Sequence, residues 1–247
     1  MKLSPVFSFK AIASLAVVAF WTLSLNAQNA TPRTVHVSGL AGTVSHSHAG
    51  GQFVPLASGA KLGKGDVIKT GPGSHVDLDM GRNVGMVQVA PNSTFSIDEV
   101  TATSTGTDML TDTQVSLSAG TMYAKVNKLA KGSRYEITTP KGIAGIRGSA
   151  LSMTAAGQLT MGEGEGGIAF GPNDVEIVHE KETAGPSDRP SHPASAQALR
   201  EIVDALRDAA THGAGPEIRA FWSADQEDGF ISPTTGAKAP TSPSQGE

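Results

Sequence analysis

The chain has 247 residues, with 19 Lys plus Arg against 23 Asp plus Glu, a formal net charge of −4 and no cysteine. This excludes a disulfide framework, a thiol nucleophile, a Cys-ligated zinc and an acylated N-terminal Cys. It also gives no overall attraction to nucleic acid or an anionic membrane, either of which would require a local basic patch. Two Trp, two Tyr and eight Phe beside 29 Gly favour strands and turns over an aromatic-lined small-molecule pocket.

Lys2 and Lys10 precede an apolar run from Ala11 to Leu25 that ends in Asn26-Ala27-Gln28. This is the layout of a secretory signal peptide, residues 1–27, cut after Ala27. The run is shorter than the roughly 20 residues that span a bilayer. The mature chain is therefore expected to be exported to the periplasm, the cell surface or the medium, with no transmembrane helix.

Composition divides the remainder near residue 183. Of the 29 glycines, 23 lie between Gly39 and Gly171, whereas seven of the 14 prolines follow residue 183. The first part, 35–180, has a dominant period of two. His75-Val76-Asp77-Leu78-Asp79-Met80 sets Val76, Leu78 and Met80 on one face and His75, Asp77 and Asp79 on a solvent face. The alternation recurs at Phe95 and Ile97, Val115 and Leu117, Met122, Ala124 and Val126, Tyr135 and Ile137, Leu151 and Met153, and Val175 and Ile177. Turn residues punctuate the runs, as at Gly71-Pro72-Gly73 and Pro91-Asn92. The fold class expected is all-β, a twisted β-sandwich or short solenoid-like roll of many short strands. Asp98 to Thr113 lacks apolar alternation and reads as a long exposed loop.

From 184 to 247 the chain reads as a mostly disordered Pro/Ser/Gly-rich tail. It contains one helix candidate at 195–211, where Leu199, Ile202, Val203 and Leu206 follow helical spacing behind Pro193. Docking on its own domain, or fraying when isolated, is the expectation for that stripe, and a partner-binding helix is the alternative.

Chemistry-bearing motifs are few. Gly162-Glu163-Gly164-Glu165-Gly166-Gly167 has the letters of a dinucleotide fingerprint, but no helix follows and two carboxylates would repel a pyrophosphate, so it reads as a turn or irregular strand. His46 and His48 could face one metal, yet nothing in the sequence brings a third ligand from His36, His75 or Asp77. No nucleophile elbow, zinc-protease or phosphate-loop motif is present, so no catalytic residue, cofactor or metal is assigned. Lys125, Lys128, Lys131, Arg134 and Lys141 cluster in sequence beside the single acid Glu136. They form a candidate patch for an anionic ligand, against the plainer reading of solvated strand faces and loop tips.

Three ordered stretches resemble the FecR domain. They are ASGAKLGKGDVIKT with GPGSHVDLDM, holding Gly65, Asp66 and Gly71; VSLSAGTMYAKV, holding Gly120; and TTPKGIAGIRGSALSM, holding Pro140, Arg147, Gly148 and Ser149. Ser149 stands where the family usually has Thr. The resemblance implies a twisted, solenoid-like all-β domain outside the cytoplasmic membrane, with these motif residues in structural roles and Asp66 a guessed partner for Arg147. In the best-understood relatives the domain relays the state of a receptor to a sigma factor. Here the expectation is a free-standing exported version that lacks the cytoplasmic segment. The functions considered are an envelope ligand- or protein-binding or signalling-related module, a structural or adhesive envelope component, and a polysaccharide-binding protein.

Overall fold

The computed structural model describes residues 30–213; the expected signal peptide and the expected tail beyond 213 lie outside the described residues. In chain order the first strands are β1 (Thr31–Pro32), β2 (Val35–Ala41), β3 (Val44–His48), β4 (Val54–Pro55), β5 (Lys61–Leu62), β6 (Asp66–Thr70) and β7 (His75–Gly81). β8 (Gly85–Val89), β9 (Thr94–Ser104), β10 (Met109–Ala119), β11 (Thr121–Val126), β12 (Arg134–Thr139) and β13 (Gly142–Ile146) follow. β14 (Ser149–Thr154), β15 (Leu159–Glu163), β16 (Gly166–Gly171), β17 (Asp174–Val178), β18 (Glu182–Gly185) and β19 (Asp188–Pro193) lead to one helix, α1 (Ala196–Gly213).

The strands form two sheets. Sheet A runs β17-β16-β13-β12-β10-β9-β6-β3-β4, with β1 on β9, and sheet B runs β19-β18-β15-β14-β11-β8-β7-β2-β5. The order in each sheet largely follows the chain, because the polypeptide repeatedly leaves one sheet, arches over and joins the other a place or two farther along. Pairing is antiparallel except for β10 and β12, which lie side by side and parallel because the strand between them, β11, crosses to sheet B.

The period-two pattern packs the two sheets. Val76, Leu78, Met80, Phe95, Ile97, Val115, Leu117, Met122, Ala124, Ile137, Leu151 and Met153 are fully buried between them. Each large apolar side chain so placed is worth about 1.5–3 kcal/mol before entropy is charged against it. Branched aliphatics and Met, with Phe95 and Tyr135 as the buried aromatics, fill the roughly 10 Å between sheets.

Three expectations are corrected. Residues 98–113 are no loop: β9 and β10, eleven residues each, form a hairpin closed at Gly106, with Thr105 N–H donating to Asp108 O at 2.9 Å. Its inward positions are filled by Val100, Ala102, Thr111 and Thr113, and Ala and Thr there hide the alternation from a hydrophobicity reading. The ladder also continues past 180, since β18 pairs with β15 and β19 with β18. Pro190 and Pro193 are tolerated there because β19 is an edge strand. Finally, Val175 and Ile177 face outward, 63% and 50% exposed, while their neighbour Val178 is buried. Period two fixes which residues share a face and leaves open which face is inside.

α1 is preceded by Ser195, whose Oγ accepts the Ala198 N–H at 3.1 Å and caps the first turn. Ile202, Leu206, Ala209 and Ala210 pack with Met86, Ala150 and half-buried Tyr123 on the outer face of sheet B. The buried stripe is rotated from the expected one, leaving Leu199 and Val203 half-buried. The helix runs from β15, where Ile202 lies over Gly162, back to β7, where Asp208 Oδ2 is 3.3 Å from His75 Nε2. Its length, about 27 Å at 1.5 Å per residue, matches the roughly 24 Å of the five strand spacings from β15 to β2. Among the described residues no helix is long and apolar enough to cross a membrane.

Candidate functional site

The motif glycines sit where arches begin. At Gly120 (φ 79°) an added Cβ would lie 2.1 Å from Ser93 Oγ and 2.7 Å from Ser93 Cα. Ser93 Oγ accepts the Thr121 N–H at 3.0 Å and reaches the Pro91 carbonyl at 3.2 Å. The same device occurs earlier. Gly42 (φ 74°) would place a Cβ 2.3 Å from Ser74 Oγ, which accepts the Thr43 N–H at 2.9 Å and donates to Pro72 O at 3.2 Å. Ala-Gly-Thr at 41–43 and 119–121 thus docks on Pro-Gly-Ser at 72–74 and Pro-Asn-Ser at 91–93. Gly71 belongs to the first of these corners: its N–H donates to Thr43 O and its carbonyl accepts from Ser74 and Asn92.

Gly65 (φ 89°) donates its N–H to Ile97 O at 2.8 Å. Asp66 is buried; Oδ2 accepts the Gly63 N–H at 2.7 Å and Oδ1 lies 3.1 Å from His48 Nδ1 and 4.0 Å from His46 Nδ1. The carboxylate is thus engaged locally, four places along sheet A from β13, and the guessed Arg147 partnership does not form. Arg147 is exposed at the end of β13. Gly148 (φ 77°) lets the chain pass Lys128, whose Cα would be 3.1 Å from a Cβ, and buried Ser149 ties the corner through Oγ to Glu165 O at 3.0 Å. Pro140 is exposed in the turn between β12 and β13.

The basic residues are dispersed. Lys125 is buried and ion-paired with Glu163. Arg134 forks onto Asp112 at 3.0 and 3.1 Å and reaches Glu136 at 3.5 Å. Lys128 and Lys131 are exposed in the loop before β12, and Lys141 is exposed beyond its far end, about 20 Å from Arg134 at strand rise. They share no common anion-facing surface.

The histidines are resolved likewise. His46 and His48 lie on β3 in sheet A, while His36, His75 and Asp77 lie in sheet B. Among the described residues no group of three or more His, Cys, Asp or Glu is arranged to hold a metal ion. The face of His75, Asp77 and Asp79 is not a bare solvent face, because α1 crosses it. Asp77 is fully buried and accepts from Gln88 Nε2 at 2.9 Å. The glycine-rich stretch is the arch from β15 to β16, turning at Gly164 (φ 70°).

What sequence reading missed is an apolar surface on the outside of sheet A. Ile143 is opposite Ala169, which is opposite Val175; in the next row Gly145, Gly167 and Ile177 are aligned. Ile143 is 46% exposed. Arg147 continues the outward row of β13, and Glu165 and His179, 3.7 Å apart, border the same end. The available signal was the glycine-rich alternation of Gly142-Ile143-Ala144-Gly145 with Gly166 and Gly167, which makes one face of these strands nearly flat.

Residues 66–165, the span from β6 to the arch after β15, match the FecR protein family. No curated protein matches the chain. Two crystal structures of a presumed anti-sigma factor from Parabacteroides distasonis are similar, each with a TM-score of 0.43. One is 13% identical, with 56% of this chain and 64% of that chain covered; the other is 12% identical, with 66% and 90% covered. This chain therefore spans less than two thirds of the first.

Proposed function

We propose that this FecR-domain chain is a non-enzymatic, exported module that works by binding a protein of the cell envelope, in a signalling-related role. The observation that carries the reading is the FecR match over 66–165, whose motif residues are used to build corners of the scaffold and leave the surfaces for contact. The layout of residues 1–27 supports export. Mass spectrometry of the secreted fraction tests it: a mature chain beginning at Gln28 agrees, and retention of Lys2 to Ala27 in membranes overturns it.

Binding is tested by pull-down from envelope extracts with the full chain, with and without residues 214–247. Discrete partners retained by both forms support recognition. Sedimentation with the cell wall and no discrete partner replaces this reading with a structural or adhesive one. A polysaccharide ligand would show as wall retention abolished by soluble glycan.

A further inference from the structure

We infer that two copies of this chain associate through the open edge of β17, antiparallel about a two-fold axis at Glu176, so that the apolar outer faces of the two A sheets become continuous. β17 ends sheet A, with its ladder on the β16 side alone among the described residues. Every second residue of such a strand turns its N–H and C=O toward the vacant side, which makes it a template for another strand.

The other sheet ends are guarded. β19, at the same end of the sandwich, carries Pro190 and Pro193; β4 is two residues long and ends in Pro55; β5 is two residues long. β17 has five residues, Asp174-Val175-Glu176-Ile177-Val178, without proline or lysine. It also carries the two most exposed of the large apolar side chains that stand out from this body, Val175 and Ile177.

The sequence of the edge selects a second copy over an unrelated strand. Val175-Glu176-Ile177 reads apolar-acid-apolar in both directions, so the two-fold axis sets Val175 of one copy opposite Ile177 of the other, twice. β-Branched cross-strand pairs of this kind stabilise antiparallel edges. The acid at the axis does not oppose the pairing as a bare charge: Glu176 points to the inner side, where Arg189 Nε lies 3.9 Å from Oε2 and the Ser191 N–H donates to Oε1. Joined this way, Ile143, Ala169, Val175 and Ile177 of both copies form one six-strand surface. A five-residue edge falls short of the roughly 800 Å² per partner of a stable complex, so the dimer is concentration-dependent.

The natural chain has no cysteine, so introduced thiols report without background. The full chain carrying Val175→Cys and Ile177→Cys, oxidised mildly, is compared with Thr138→Cys, an exposed residue of the same outer face three strands from the edge. A disulfide-linked dimer at several-fold the yield of Thr138→Cys is expected. In parallel, the light-scattering mass of the full chain should rise toward twice the monomer with concentration. Ile177→Lys should hold it at the monomer with an unchanged melting temperature. Equal cross-linking of the Thr138→Cys control, a natural chain monomeric at every concentration, or Ile177→Lys associating like the natural chain would each overturn the inference. None of these outcomes bears on whether an envelope protein is bound.

Discussion

Single residues set the arches, and the cost of changing them follows from what a Cβ would meet. Gly73 is left-handed (φ 60°) but faces open space, whereas Gly120 is left-handed and pressed on Ser93. Gly73→Ala should cost about 1 kcal/mol for the backbone conformation alone. Gly120→Ala adds a clash with a backbone carbon and should cost about 1–3 kcal/mol more. Chemical denaturation of the two variants gives the difference, and equal midpoints would show that the corner yields. The letters Ala-Gly-Thr were readable twice in the sequence. Their partners were not, because the hydrogen bonds that make them corners join residues 31 and 28 positions apart.

Tyr135 is a second residue-scale case. Burial pushes its phenol far above the usual range, and its hydroxyl makes no hydrogen bond among the described residues. The folded chain keeps a proton that the unfolded chain gives up near pH 10. The stability linked to this group is therefore present below about pH 10 and falls as pH rises beyond it. Tyr135→Phe should be neutral or stabilising by up to about 1 kcal/mol at pH 7 and should flatten the alkaline decline. Melting curves from pH 7 to 11 check both; an unaltered decline would assign it to other groups. Tyr123, raised by burial and then by Glu201, contributes in the same direction.

At the level of elements, α1 is held by a small cluster. Ile202 and Leu206 are nearly fully buried, and Ala209 and Ala210 complete the contact. Leu206→Asp would bury an unpaired carboxylate against sheet B and should release the helix while leaving the two-sheet core folded. Limited proteolysis should then cut within 196–213, with the strands protected, and full resistance would contradict this. The helix was legible because Pro193 and the 3.6 period lie within one segment. β9 and β10 were not, since Thr and Ala at buried positions carry strand propensity without a hydrophobic signal. β19 was obscured by prolines that an edge position tolerates, and β18 by its four residues, Glu182 to Gly185.

For the molecule as a whole, strand order that largely tracks chain order makes the body nearly one-dimensional, each strand leaning on its neighbours along the ladder. Amide exchange should therefore be slowest in the middle, at β8, β11 and β14 in sheet B and β9, β10 and β12 in sheet A, and faster toward β4, β5, β17 and β19. Uniform protection would mean that the body opens as one unit. The all-β class was legible because period two survives in any sheet. Which end of the stack would be bare was not, because that depends on where the ladder stops.

The path of α1 has a mechanical consequence. A helix laid across its strands bridges every joint from β15 to β2, so sheet B cannot splay or shear at one of those joints without dragging or shedding the strut. Sheet A has no such brace among the described residues. Under a load along the stacking axis the two sheets therefore differ in stiffness: the body bends by opening on the side of β9, β10 and β12, with the helix-bearing side as the hinge.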